Sequence, residues 1–217
     1  MTRRAVVFDL DGTLVDSRAD IARSLAYMLA ELGHPPRPLG EIFTYIGDGL
    51  RMLVLRGLPE GARTEPEIER GLDVFRAHYA LHATDETRPY PGVVETLDAL
   101  REGGARLAIV TNKRGEAARQ VVKQLGLAPR FDVVLGGGDV PALKPDPAGL
   151  LACCAQLTVA PGDAWYVGDL PLDIATARAA GCRVAAAAWG YGERAALEAV
   201  GPDLLLGGVG ELLGLIG

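Results

Sequence analysis

Five short apolar runs punctuate the chain: Ala5 to Phe8, Leu107 to Val110, Val133 to Leu135, Trp165 to Val167 and Val184 to Trp189. None alternates apolar with polar residues, the pattern expected of strands buried on both faces of a parallel sheet. Between them the apolar positions change to helical spacing: Val93, Leu97 and Leu100, then Ala118, Val121, Val122 and Leu125, then Leu150, Cys154 and Leu157. Repeated strand-helix units predict a doubly wound α/β sheet.

One connection breaks the rhythm. About eighty residues separate the first strand from the helix that begins near Pro91, where a crossover needs only about a dozen. The intervening segment reads as helical, with Ile21, Leu25, Met28 and Leu32 on one face and Ile68, Leu72, Phe75 and Tyr79 on another. Ser17-x-x-Asp20 and Thr64-x-x-Glu67 have the form of capping boxes that start two of its helices. The expected organisation is therefore a catalytic core of residues 1–15 and 88–217 with an inserted α-helical cap over residues 16–87.

Composition narrows the classes. With 217 residues, 49% of them hydrophobic, the chain can bury a sizeable core, which excludes disorder. A net charge of -6, from 28 acidic and 22 basic residues, lacks the basic footprint of nucleic-acid binders. Only three of the basic residues are lysines, Lys113, Lys123 and Lys144, so chemistry that needs an amine has few candidates. Cys153, Cys154 and Cys182 form neither an even disulfide framework nor a zinc pair, which suits a reducing compartment. The start Met1-Thr2-Arg3-Arg4 offers a basic stretch, but Asp9 and Asp11 cut short the apolar run that follows. No later run reaches the ~20 residues a bilayer span requires. The expectation is a cytoplasmic protein, monomer or homodimer, with neither a membrane nor a nucleic-acid partner.

The polar residues that end the strands carry the chemistry, since open α/β sheets bind ligands at their carboxyl edge. The first strand delivers Asp9-Leu10-Asp11-Gly12-Thr13. Alternation sends Asp9 and Asp11 to one side, where two carboxylates call for a cation or a retained proton; an Asx turn and helix cap is the plainer use of the same residues. Gly12 frees the backbone to turn its N–H groups toward an anion. The second strand ends in Thr111-Asn112, and Lys144-Pro145-Asp146-Pro147 holds a lysine between a loop and a helix, able to neutralise a phosphate as a point charge. The fourth signal, Val167-Gly168-Asp169-Leu170-Pro171-Leu172-Asp173, sets two carboxylates four residues apart at a helix start.

Taken in order, Asp9-x-Asp11-Gly12-Thr13, Thr111-Asn112, Lys144-Pro145 and Gly168-Asp169 with Asp173 resemble the four motifs of the haloacid dehalogenase superfamily phosphatases. Val110-Thr111-Asn112-Lys113, Phe131-Asp132-Val133-Val134 and Trp189-Gly190-Tyr191-Gly192 are similar to the phosphoglycolate phosphatase branch. The resemblance implies a Rossmann-like core with a helical cap, magnesium as cofactor, and a small anionic phosphate ester, above all 2-phosphoglycolate, as substrate. It implies Asp9 as nucleophile forming an aspartyl-phosphate and Asp11 as the acid and base for leaving group and water, a role suited to an acid raised by its neighbour. It implies that Gly12, Thr111, Asn112 and Lys144 bind the phosphoryl group. Magnesium would sit on the Asp9 carboxylate, the Asp11 backbone carbonyl and Asp169, with Asp173 bracing the site. Leu170-Pro171 departs from the small hydroxyl and polar residues often found there in the family.

Within the superfamily, Asp11 favours an alkoxide leaving group over a halide. With no lysine before Lys113, the cap lacks the amine that a phosphonatase needs for a Schiff base, and a β-phosphoglucomutase is disfavoured similarly. Gly47-Asp48-Gly49-Leu50-Arg51 resembles the family's substrate-closing cap segment, with Arg51 able to pair with a carboxylate or to lie on the surface. His78 and His82, four apart on a helix, lack a third metal ligand nearby, Gly136-Gly137-Gly138 reads as a loop, and Cys154 as core. Pyrophosphate, a nucleotide or a sugar phosphate are alternative substrates, and a non-catalytic phosphate-ligand-binding module is the alternative of another class.

Overall fold

The computed structural model describes residues 4–216. Most of the amino-terminal basic stretch, residues 1–3, lies outside them. In chain order the elements are β1 (Ala5–Phe8), β2 (Val15–Asp16), α1 (Arg18–Glu31), α2 (Leu39–Phe43), α3 (Leu50–Gly57), α4 (Glu65–His82), β3 (Arg88–Pro89), α5 (Val93–Glu102), β4 (Arg106–Arg114), α6 (Gly115–Gln124), β5 (Val133–Gly137), α7 (Ala148–Leu157), β6 (Ala164–Gly168), α8 (Pro171–Ala180), β7 (Arg183–Ala187), α9 (Arg194–Val200) and β8 (Leu204–Leu206). They divide into two compact units, one of residues 4–16 and 89–216, the other Ser17–Arg88. Among the described residues, no helix is long and apolar enough to cross a membrane.

The first unit is built on a six-stranded sheet in the order β5-β4-β1-β6-β7-β8, parallel throughout. The unbroken apolar runs are explained by layers on both faces. Val6, Phe8, Leu107, Ile109, Trp165 and Val167 pack on one side with Leu97 and Leu100 of α5. Ala5, Val7, Ala108, Val110 and Tyr166 pack on the other with Leu150 and Cys154 of α7 and Ile174 of α8. Each large apolar side chain withdrawn from water in this way contributes about 1.5–3 kcal/mol. Register aligns Phe8 with Ile109 on one side and with Val167 on the other. The carboxyl ends of β1, β4 and β6 therefore meet at one edge, and the strand order reverses at β1, which places a topological switch point there.

The strands differ from the sequence expectation in several places: the two-residue β2 and β3 are additional, and β5 takes in Gly136 and Gly137, expected as loop. The β8 strand is too short, at three leucines, to show a period. The β4 strand runs on past Val110 to Arg114, with a register shift between Val110 and Arg114. Gly136 makes room for that extension, since a Cβ there would lie 2.4 Å from the Lys113 carbonyl oxygen.

In the second unit α1 packs on α4 through buried Ile21, Leu25, Met28, Ile68, Leu72, Phe75 and Tyr79. Gly71 sits where a Cβ would come within 2.8 Å of Val54 and 3.1 Å of the Met28 sulfur, so a side chain there would force α3 and α1 away from α4. The expected capping boxes do not form. Ser17 and Thr64 stand at the N-caps of α1 and α4, yet neither makes a side-chain cap hydrogen bond. Asp20 is fully buried and accepts instead from the Glu86 N–H (3.0 Å), the Thr87 N–H (2.7 Å) and the Thr87 hydroxyl (2.7 Å). Buried backbone donors without secondary-structure partners need an acceptor, and the carboxylate supplies it. Glu67 is taken by His34 (2.9 Å) and Arg70 (2.8 Å).

Candidate active site

Asp9 follows directly on β1, and its own N–H donates to the Val167 carbonyl at 2.8 Å, continuing the strand ladder. Its carboxylate is buried: one oxygen accepts from the Leu10 N–H at 2.7 Å, the other lies 2.8 Å from Lys144 Nζ, and the Thr111 hydroxyl also hydrogen-bonds to it. The chain then turns sharply, with the Leu14 and Val15 N–H groups both donating to the Leu10 carbonyl. Gly12 takes a left-handed φ of 86° in this turn, and a Cβ there would lie 2.3 Å from an Asp169 carboxylate oxygen. Only glycine meets both requirements.

Asp169 leaves the end of β6 fully buried. Its oxygens accept from the Thr13 hydroxyl at 2.7 Å and from the Tyr191 N–H at 2.8 Å. Asp173, on the first turn of α8, accepts from Lys144 Nζ at 2.6 Å with one oxygen and from the Leu170 N–H at 2.9 Å with the other. Pro171, at the start of α8, gives up no needed donor. Leu170 and Pro171 offer no side-chain donors, so backbone N–H groups, Thr13 and Lys144 orient the two acids.

Carboxylate oxygens of Asp9, Asp169 and Asp173, one from each, all lie within 4.8 Å of one another, close enough to hold a metal ion together. The acids crowding Asp9 are thus Asp169 and Asp173, from distant parts of the chain. Burial pushes the Asp9 carboxyl up to about 6, opposed by the Lys144 ammonium and assisted by Asp173. Burial pushes Asp169 up to about 8, with Asp173 and Asp9 adding to the effect. For Lys144, burial disfavours the charge, but the Asp173 and Asp9 carboxylates outweigh it and hold the amine well above its ordinary value.

The remaining expected residues stand as follows. Asn112 brackets the Lys144 peptide: its Oδ1 accepts from the Lys144 N–H at 2.7 Å and its Nδ2 donates to the Lys144 carbonyl at 3.2 Å. Asp11 is engaged by Lys113, whose Nζ lies 3.0 and 2.9 Å from its two oxygens. In the second unit, Arg51 pairs with Glu65 and Glu69 on the surface, and Arg56 with Asp48. His78 and His82 stack on each other with ring centroids 4.4 Å apart.

Three contributors had no role assigned from the sequence. Lys113 stood among the few amines and closed the Val110-to-Lys113 motif, with no partner assigned. Thr13 was part of a motif but had no assigned partner. The segment Trp189 to Gly192 presses on Asp169 from behind: Trp189 Nε1 donates to the Thr13 carbonyl at 3.0 Å. A Cβ on Gly190 would sit 2.2 Å from the Asp169 Cβ and 2.4 Å from the Gly12 carbonyl oxygen. Two glycines flanking a tyrosine were the available signal for a close backbone approach.

The sequence profile of the haloacid dehalogenase-like hydrolases matches residues 6–187. The phosphoglycolate phosphatase of Chromobacterium violaceum is 39% identical over 216 residues, covering 98% of this chain and 96% of its own length. The phosphoglycolate phosphatase of Haemophilus influenzae is 35% identical, covering 98% of both chains. The crystal structure of a predicted phosphoglycolate phosphatase from Haemophilus somnus superimposes with a TM-score of 0.93 at 30% identity, over 100% of this chain and 99% of that one.

Proposed function

This chain belongs to the haloacid dehalogenase-like hydrolases and is a hydrolase of phosphoric monoesters, and from that premise we propose that it cleaves 2-phosphoglycolate with magnesium, through an aspartyl-phosphate on Asp9. The observation that carries the reading is the buried Asp9 carboxylate, held between Lys144 and two further acids at the switch point of the sheet. A carboxylate oriented by the Leu10 N–H and beside an ammonium is equipped both to attack phosphorus and to receive an anionic group.

In this mechanism an Asp9 oxygen bonds to phosphorus as the ester P–O bond breaks, and Asp11 gives its proton to the departing alkoxide. Asp11 then takes a proton from water, whose oxygen attacks the phosphorus of the acyl phosphate. The bond to Asp9 breaks, inorganic phosphate leaves, and the carboxylate is restored. Lys144, Thr111 and the turn at Gly12 would meet the phosphoryl oxygens, and Asn112 contributes by fixing the backbone of Lys144. Because charge spreads over three oxygens in the transition state, positioning and neutralisation carry most of the rate.

The residues fit magnesium. The donors are all oxygens, and three buried carboxylates face one ammonium, an excess of negative charge that a hard divalent cation would relieve. Asp9, Asp169 and the Asp11 carbonyl would hold it, with Asp173 as support. When bound it would neutralise charge on the phosphoryl oxygens.

The raised acids give a pH signature. A carboxyl whose folded pKa is raised adds stability that is complete below its unfolded value, near 3.8, and is lost as pH rises through the folded value, about 6 for Asp9 and about 8 for Asp169. Metal-free protein is therefore expected to melt at lower temperature at pH 8.5 than at pH 5.5. Added magnesium is expected to raise the Tm more at pH 8.5. Equal shifts at both values, read by differential scanning calorimetry, would exclude these acids as the site.

Substrate choice is tested by kcat/KM over phosphoglycolate, pyrophosphate, a nucleoside monophosphate and a hexose phosphate. Phosphoglycolate is expected to lead by about tenfold or more. A flat profile, or pyrophosphate in front, would replace it with the broader or different substrate, and no phosphate release from any ester would remove the catalytic reading.

A further inference from the structure

The two amines of the first unit's catalytic edge serve different carboxylates. Lys144 bonds Asp9 and Asp173 beside the phosphoryl position, whereas Lys113 bonds both oxygens of Asp11. The Lys113–Asp11 pair is largely withdrawn from water, with side chains 8% and 13% exposed. Lys113 stands on the β4 extension, its N–H donates to the Thr111 hydroxyl at 3.3 Å, and its carbonyl lies where only a glycine at position 136 leaves room. The ammonium is thus presented by a packed strand. Lys123, the third lysine, is exposed on the last turn of α6. The guanidinium of Arg51, the residue whose sequence context suggested a carboxylate clamp, is occupied by Glu65 and Glu69.

We propose that Lys113 is a specificity-determining residue whose ammonium recognises a carboxylate on the leaving group, one carbon from the ester oxygen, and so selects α-phosphooxy acids over esters of neutral alcohols. The inference rests on the reading of Asp11 as the group that faces the leaving oxygen. In such an ester, ordinary bond lengths put the carboxylate oxygens about 3 Å from the ester oxygen, so the carboxylate arrives next to Asp11. Two carboxylates meeting there would repel unless a cation lay between them. An ammonium is a donor only, and its charge can be shared between Asp11 and a substrate carboxylate that arrives beside it. It is also a compact point charge, suited to a small acid. A neutral alcohol gains none of this.

The test compares 2-phosphoglycolate with 2-hydroxyethyl phosphate, which replaces the carboxylate by a neutral carbinol, in wild type, K113M and K113R with magnesium supplied. Both activities are expected to fall in K113M, since Asp11 loses a partner, so the readout is the ratio of the two kcat/KM values. That ratio is expected to collapse by about 100-fold, mostly through KM for phosphoglycolate, and to recover in part in K113R. An equal fall for both esters would make Lys113 a positioning residue for Asp11 alone and overturn the proposal. So would a wild type without preference between them, although the phosphatase reading would stand. Turnover of other esters but of neither of these would overturn the phosphoglycolate reading and the inference together. Should K113M not fold, product inhibition of wild type decides: glycolate is expected to inhibit and ethylene glycol at the same concentration is not, while equal inhibition overturns the proposal.

Discussion

Replacing Asp9 by asparagine is expected to lower kcat/KM by about 10⁴-fold or more, the scale seen when one member of a catalytic unit is removed. The amide has nearly the shape of the carboxylate but no nucleophilic oxygen, so the first bond to phosphorus cannot form. Folding should be retained. Asp9 is one of three buried acids facing a single ammonium, and neutralising it lowers their mutual repulsion while Lys144 keeps Asp173 at 2.6 Å. A Tm equal to or above that of wild type, with phosphate release lost, is the expected pair of results. Substantial turnover by a correctly folded Asp9→Asn protein would remove Asp9 as nucleophile, and loss of folding would mean that the carboxylate is chiefly structural.

The largest expected effect on stability belongs to Lys144→Met. The ammonium is buried and lies 2.8 Å from Asp9 and 2.6 Å from Asp173. Methionine fills much of the same volume but leaves both carboxylates without a counter-charge, and breaking a buried pair in this way costs about 3–5 kcal/mol. Urea denaturation of the metal-free protein measures it. Adding magnesium is expected to restore part of the loss while activity stays low, because the donor to the phosphoryl oxygens is gone. The double variant Asp9→Asn with Lys144→Met should be less destabilised than Lys144→Met alone, since one stranded charge has been removed. A loss below about 1 kcal/mol in metal-free protein would contradict the buried, charged pair. Arg51→Met offers the contrast: its partners Glu65 and Glu69 are exposed and screened by water, so stability should hardly change.

Much of the core was legible because burial on both faces writes itself as unbroken apolar runs, and because helices facing a sheet repeat their apolar positions at helical spacing. The β8 strand was not legible, since three leucines beside a turn carry no period. The Ser17 and Thr64 capping boxes followed a local rule that tertiary demand overrode: Asp20 was needed by the backbone of residues 86 and 87. Candidate site residues were legible for a different reason. Asp9, Thr111, Asn112 and Asp169 each end or directly follow an apolar run, and a parallel sheet gathers such ends at one edge.

Sequence alone thus determined the α/β class, the long helical insertion and the polar residues delivered to the edge, because these depend on the order and periodicity of side chains along the chain. Which acid meets which amine was decided only by tertiary structure. Lys113 reaches Asp11 across 102 residues of sequence, and Lys144 joins Asp9 to Asp173, because strand register, with Gly136 packed closely on Lys113, brings these segments to one edge. Charge pairing depends on separations of a few ångströms between distant segments, and no local pattern records those.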